Sequence, residues 1–330
     1  MILGIESTAH TFGISLVHKG KFLCNIKDSY TTESGGIIPT QAAEHHKRVA
    51  HQVYEKALAI SKVKEKDIQA VAFSIGPGLS PCLNKGLNFA KEIALKLNVP
   101  LLPVNHCIAH QEIGEITGAK DPVLLYVSGA NTQIIAFAGK KYRIFGETLD
   151  MGVGNFIDTY ARHTGLGFPG GPKIQALAEQ STKQYIELPY VVKGMDISLS
   201  GLLTNLQQKY DSKKYTKEDL AFSLQETVFA MIVEVAERAL AHTGKKELVI
   251  GGGVGCNTRL QEMCKVMCQH RSAKFFAPAN EFLTDNGAMI AYLGEKMFHS
   301  GTLIVKGERA INKLEVQPRQ RTDEVEVTWK

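Results

Sequence analysis

Short apolar runs open the chain, and the period of the pattern separates strands from helices. Ile2–Thr8, Phe12–His18 and Lys21–Tyr30 predict a three-stranded meander, joined by small residues and by Lys19-Gly20. Over residues 42–58 the period lengthens: Ala43, His46, Val49, Ala50, Val53, Ala57 and Leu58 share one helical face. A strand Gln69–Ile75 ends in Gly76-Pro77-Gly78, and a helix covers about 83–97. The strand Leu101–Val104 then leads into a further helix that begins near Asn105.

At Pro122 the pattern restarts. Val123–Val127, Gln133–Ala138 and Tyr142–Thr148 repeat the meander around the turns Ser128–Thr132 and Gly139-Lys140-Lys141. Helices are expected at about 153–164, 172–181, 219–243, 257–270 and 284–300, with strands at Glu247–Ile250 and Ala273–Phe276. The longest is marked by the stripe Leu220, Leu224, Val228, Met231, Ile232, Val235 and Ala239. A repeated meander followed by αβ units predicts two like lobes, 1–121 and 122–330, facing each other across a cleft. The extreme C-terminus has room to pack back on the first lobe. Ligands are expected in the cleft, at hairpin turns and helix starts.

Composition narrows the class. A length of 330 residues exceeds one ordinary core. The 44% apolar and 22% charged fractions are those of a globular protein, and no apolar run is long enough for a membrane span. The start lacks the basic residues and cleavage site of a signal peptide. Six cysteines show no C-x-x-C pairing, so a reduced, cytoplasmic protein is expected, with Cys264 and Cys268 as small core residues. A net charge of +5 is compatible with nucleic acid without arguing for it, and no DNA partner is expected.

The candidate chemistry starts at His106 and His110, i and i+4 on one helix, with Cβ atoms roughly 6 Å apart. That spacing suits two imidazoles on one transition metal, and Asn105 is a good N-cap beside them. A zinc protease would carry H-E-x-x-H, but Cys107 stands where its glutamate base belongs. Tyr126, ending a strand, and Asp285, in Thr284-Asp285-Asn286-Gly287, are oxygen donors able to complete the site from across the cleft. Three glycine-bearing turns accompany it: Ser128–Thr132, Phe168–Pro172 and Gly251–Asn257. None fits a Rossmann or Walker pattern, but together they point to a nucleotide. Asp158, one turn into a helix after Gly152-Val153-Gly154, is a further candidate.

These stretches resemble the tRNA threonylcarbamoyladenosine transferase family, in the archaeal and eukaryotic branch that works within the KEOPS complex. The matches include Gly4–Ala9, Phe73–Leu79, Asn105–His110, Leu125–Gly129, Gly146–Asp150, Pro169–Pro172, Lys193–Leu203 and Asp285–Ala291, so they span nearly the whole chain. The resemblance implies a duplicated actin/hexokinase/Hsp70-like (ASKHA) fold. It implies one divalent metal ion, iron ahead of zinc, on His106, His110, Tyr126 and Asp285, with Glu6, His106 and His110 as the catalytic set. Threonylcarbamoyl-adenylate, or ATP in its place, would lie on Tyr126, Val127, Ser128, Gly129, Ala130, Asp158, Gly171, Gln175 and Asn257. The implied reaction passes the threonylcarbamoyl group to N6 of adenosine 37 in tRNAs reading codons that begin with adenine, releasing AMP. Implied partners are tRNA, a small kinase-like ATPase, a small dimeric subunit and a further accessory subunit. The helix over 42–58, with His45, Lys47, Gln52 and Glu55 on its outer face, is one candidate docking surface.

The chain departs from the family pattern at three points. Ala130 replaces the second glycine of the hairpin, where a methyl group would crowd the ligand if φ were positive. Gln175 replaces an acid, and Asn84 stands where the loop after Gly76-Pro77-Gly78 usually has arginine. The competing readings are an ATP-dependent phosphotransferase or ATPase on the same fold, and a metalloendopeptidase. The first would want an aspartate where Glu6-Ser7-Thr8 stands.

Overall fold

A computed structural model describes residues 1–32 and 36–330. The first lobe holds β1 (Ile2–Glu6), β2 (Thr11–His18), β3 (Lys21–Ser29), α1 (Pro39–Ser61), β4 (Ala70–Gly76), α2 (Ser80–Leu97), β5 (Leu101–Asn105) and α3 (His106–Ile113). The second starts with β6 (Val123–Val127), β7 (Thr132–Ala138) and β8 (Lys141–Glu147), then α4 (Val153–His163) and α5 (Gly171–Glu179). A two-stranded ribbon, β9 (Val192–Lys193) and β10 (Asp196–Ile197), precedes α6 (Ser200–Asp211) and α7 (Lys217–Thr243). The chain closes with β11 (Glu247–Gly251), α8 (Thr258–His270), β12 (Lys274–Phe276), α9 (Asn280–Leu283), α10 (Gly287–Ser300) and α11 (Glu308–Lys313).

The two sheets share one topology. Their orders are β3-β2-β1-β4-β5 and β8-β7-β6-β11-β12. In each, the meander is antiparallel and the last two strands join parallel to the meander's first strand. The central strands β1, β4, β6 and β11 are almost wholly buried, as parallel strands covered on both faces must be.

Each lobe has its own apolar core, and a third core joins them. Ala72, Leu102 and Val104 of the first sheet and Leu124, Ile135 and Val249 of the second enclose α3 and α10 in that third core. The helix α10, which follows the second sheet in sequence, lies directly on the first sheet. Glycine permits the approach: a Cβ on Gly4 would lie 2.3 Å from the Ala291 nitrogen.

Three local expectations change. The helix Ser200–Asp211 lacks a clear sequence period, and it forms because Asp150 accepts the amides of Leu199 and Ser200 at its start. The final long helix begins at Gly287, with Asn286 as its N-cap accepting the Met289 amide at 3.0 Å, so residues 284 to 286 lie outside it. On α1, His45 is buried and bonded to Asp28 at 2.8 Å, so it is not on the outer face; Lys47, Gln52 and Glu55 are exposed there. No helix among the described residues is long and apolar enough to cross a membrane.

Candidate metal centre and ligand cradle

The strand β5 delivers the chain into α3, where the Asn105 side chain accepts the Ile108 amide at 3.1 Å. Every residue of α3 is buried. His106 and His110 meet edge to face, with ring centroids 4.8 Å apart. Because Asn286 caps α10, the preceding Asp285 is free to face them: its Oδ1 lies 3.4 Å from His106 Nε2 and 3.5 Å from His110 Nε2. One ligand atom from each of the three lies within 4.8 Å of the others. The Tyr126 hydroxyl is 3.1 Å from His106 Nε2, at the mouth of the ligand hairpin.

Glu6, ending β1, completes the set. Its Oε2 is 3.0 Å from His106 Nδ1, while its Oε1 accepts the amide and hydroxyl of Thr8 at 2.6 and 2.5 Å. A carboxylate on Nδ1 keeps a proton there and turns Nε2, whose proton a bound ion would displace, toward Asp285 and Tyr126. Thr8 was not a sequence candidate. It bonds Glu6 two residues away within a turn of small residues, and only the folded chain brings it to 3.4 Å from His106 Nδ1.

The electrostatics fit a cation. Burial opposes charging His106, but the carboxylates of Glu6 and Asp285 override it and push its pKa up to about 9. Burial holds His110 low, so its imidazole is neutral. Burial works against the Asp285 carboxylate too, yet the nearby His106 charge and His110 keep it well below the usual range. Burial raises the Tyr126 phenol well above its usual value, so the hydroxyl keeps its proton. Both ring nitrogens of His110 are buried without a hydrogen-bond partner, since the Asp285 contact is too long to be a good one. Buried, unpartnered imidazole nitrogens beside a carboxylate are what a transition-metal ion satisfies, so the residues fit the group.

The ligand candidates lie on the second lobe. In the hairpin, the Ser128 amide and hydroxyl both bond to the Asn131 carbonyl at 2.9 Å. The start of α4 seats on this turn, Gly154 and Asn155 donating to the carbonyls of Ser128 and Gly129. Side chains are excluded there: a Cβ on Gly152 would lie 2.4 Å from the Gly129 oxygen. Ala130 takes no positive φ, so its methyl group carries no backbone strain. Val127 ends β6 buried, and Gly252, at φ +86°, passes against its carbonyl.

The other candidates spread along one wall. Half-buried Asp158 accepts the Gly170 amide at 2.7 Å, and burial raises its pKa. A Cβ on Gly171, at the first position of α5, would meet nothing within 4 Å, so this backbone faces open space. Gln175 reaches from α5 to Thr258 at 3.1 Å. Asn257 caps α8, accepting the amides of Arg259 and Leu260, and donates to Gln225 at 2.6 Å. Its side chain is thus engaged within the protein.

The family described as tRNA N6-adenosine threonylcarbamoyltransferase has a sequence model that matches residues 21–292. The chain is 55% identical over 327 residues to the protein of that name from Thermococcus sibiricus, covering 99% of both chains. The chain belongs to the tRNA N6-adenosine threonylcarbamoyltransferase family. As a member it is an enzyme that modifies tRNA by group transfer. The Thermococcus kodakarensis member is 54% identical over 99% of each chain. A Methanosarcina mazei relative, named a probable bifunctional tRNA threonylcarbamoyladenosine biosynthesis protein, is 51% identical; it is matched over 99% of this chain and 59% of its own length. Among solved structures, Thermococcus kodakarensis HypF matches with a TM-score of 0.61 at 15% identity, over 91% of this chain and 48% of its own. The (R)-2-hydroxyglutaryl-CoA dehydratase component A of Acidaminococcus fermentans matches at 0.56 and 12% identity, over 89% and 98%. At such identities these structures speak to fold alone, and they agree with the duplicated actin-like, two-lobed architecture.

Proposed function

We propose that this transferase carries one divalent metal ion, iron or zinc, on His106, His110, Asp285 and Tyr126, and passes the threonylcarbamoyl group from threonylcarbamoyl-adenylate to N6 of adenosine 37 of tRNA, releasing AMP. The observation that carries the metal reading is the convergence of two histidines and a carboxylate within 4.8 Å, with the His110 nitrogens unpartnered. When bound, such an ion supplies a Lewis acid beside the ligand hairpin. The remaining work is positioning. Glu6 fixes the His106 ring orientation, and the Ser128–Asn131 turn and the open backbone at Gly171 cradle the adenylate. AMP is a good leaving group, so alignment of the attacking amine with the carbamoyl carbon carries most of the rate.

The chain acts as the catalytic subunit of a KEOPS-type assembly in the cytoplasm. A charge of +5 over 330 residues gives few phosphate contacts of its own. The Methanosarcina mazei relative, longer and named bifunctional, supports a second activity that works together with this one, which we assign to a small kinase-like ATPase partner. A small dimeric subunit on the outer face of α1 and a further accessory subunit complete the assembly.

The test supplies threonylcarbamoyl-adenylate and tRNA to the purified chain, alone and with the partner subunits, and measures both modified adenosine and metal content. Near-stoichiometric metal and partner-dependent transfer are expected, and a His106→Ala/His110→Ala protein loses both. Unchanged metal content in that double variant overturns the ligand assignment. Full turnover by the isolated chain overturns the partner requirement.

A further inference from the structure

We propose that residues 317–330 form a strap that backs α3 and holds His106 and His110 in register for the cation; the inference rests on the metal reading above. A two-turn helix has little stability of its own, so its geometry comes from what it packs against. A metal site demands ligand positions held to within about half an ångström.

The strap meets α3 along its whole length. At the start, the Asn105 cap that accepts the Ile108 amide also donates through Nδ2 to Gln320 Oε1 at 2.9 Å. Gln320 is held in turn by Gln317 at 2.8 Å. Backbone bonds from Gln317 to Ile75 and from Gly78 to Pro318 anchor that end of the strap to the end of β4 and the loop after it. In the first turn, buried Thr322 lies against the Cys107 sulfur. Val325 and Val327 then bury themselves in the same core as Ile108, Ala109 and Ile113.

At the last turn, fully buried Glu112 accepts the Trp329 indole N–H at 3.0 Å. The Tyr142 hydroxyl and the Lys296 ammonium donate to the same carboxylate. At 100° per residue, Glu112 leaves the helix about 240° round from His106 and about 200° from His110, so the strap pulls from behind the ligands. No hydrogen bond among the described residues joins the strap to either histidine, so it is a positioning element.

The experiment titrates the full chain with Co²⁺ against a competing chelator and records the cobalt visible spectrum, which reports coordination geometry. The variants are Trp329→Phe, which keeps a ring and removes the N–H, Gln320→Ala, which frees the Asn105 cap, and the two combined. Asp219→Ala serves as a control, because it removes the bonds from Ser181, Thr182 and Thr216 far from α3. The combined variant is expected to bind Co²⁺ about 10–100-fold more weakly with an altered spectrum, as outer groups around metal ligands do when removed. The control is expected to lower Tm and leave cobalt affinity and spectrum unchanged. Wild-type affinity and spectrum in the combined variant overturn the strap alone, as does an equal loss in the control. No stoichiometric cobalt in the wild-type chain overturns the metal reading, and the strap with it.

Discussion

The two sheets have the same strand order, yet their equivalent positions carry different groups. The first meander strand of each lobe ends at the cleft, in Glu6 on one side and in Tyr126-Val127 on the other. The turn after β1 offers Thr8 and a carboxylate to a histidine; the turn after β6 offers small residues and backbone. The last parallel strand of each sheet leads to the metal candidates: β5 runs into the histidine helix, and β12 is followed by α9 and Asp285. Duplication thus brings four donor positions to one place, and divergence decided what each carries. On the proposed reading, Glu6 and the histidines of one lobe orient a cation that Asp285 and Tyr126 reach from the other, whose hairpin holds the nucleotide-like ligand.

The sharpest way to break this division is Gly171→Arg. The backbone there faces open space, so the added side chain fills the cradle without disturbing the fold. Adenine-nucleotide binding measured by calorimetry should fall more than about 100-fold, or 2.7 kcal/mol, while Co²⁺ affinity on the first lobe's histidines holds. Unchanged nucleotide affinity in a folded variant would remove the cradle from this lobe.

Acid should separate the lobes as well. Burial, with His45 close by, pushes His46 on α1 down to about 4. The unfolded histidine titrates near 6.5. Between these values the unfolded state binds the extra proton, so stability is full above pH 6.5 and falls as pH drops toward 4, by about 3 kcal/mol in all. The second lobe's Asp219 behaves differently: bonds from Ser181, Thr216 and Thr182 lower its pKa, so its contribution is full above the ordinary carboxylate range and is lost as pH falls into and below it. Hydrogen exchange across pH 7 to 4 should open the first lobe before the second, and His46→Gln should flatten that slope. Equal opening of both lobes would contradict the assignment.

Glu6→Gln tests the orienting role. The amide still reaches His106 Nδ1 but brings no charge, and metal affinity should drop about 10–100-fold with nucleotide affinity untouched. The smallest expected effect is Asn286→Ala. It removes the cap of α10 and the bond to the Thr284 carbonyl, costing about 1–2 kcal/mol in chemical denaturation. A further loss of metal affinity is expected there, because Asp285 is the neighbouring residue.

Much of the frame was legible in the sequence because it is periodic. The two meanders, the long stripe of α7 and the glycine turns repeat at intervals that sheets and helices impose, and the observed bounds differ by a few residues at most. The helix α6 was not legible, because its start depends on Asp150, fifty residues earlier. The outer face of α1 was misread at His45 because an imidazole suits either solvent or a pairing with a carboxylate, and only the bond to Asp28 decides.

The sequence by itself determined which donors exist and that His106 and His110 share a helix face, since both follow from residue type and a fixed helical pitch. Only the tertiary structure decided that Asp285 stands outside its helix and within 3.5 Å of both histidines, and that Glu6, a hundred residues from His106, fixes its ring orientation. It also decided that Trp329 closes on Glu112 behind them. Local periodicity encodes which way a side chain points along its own element, whereas distances between elements are fixed by how buried surfaces pack, which no single stretch of sequence contains.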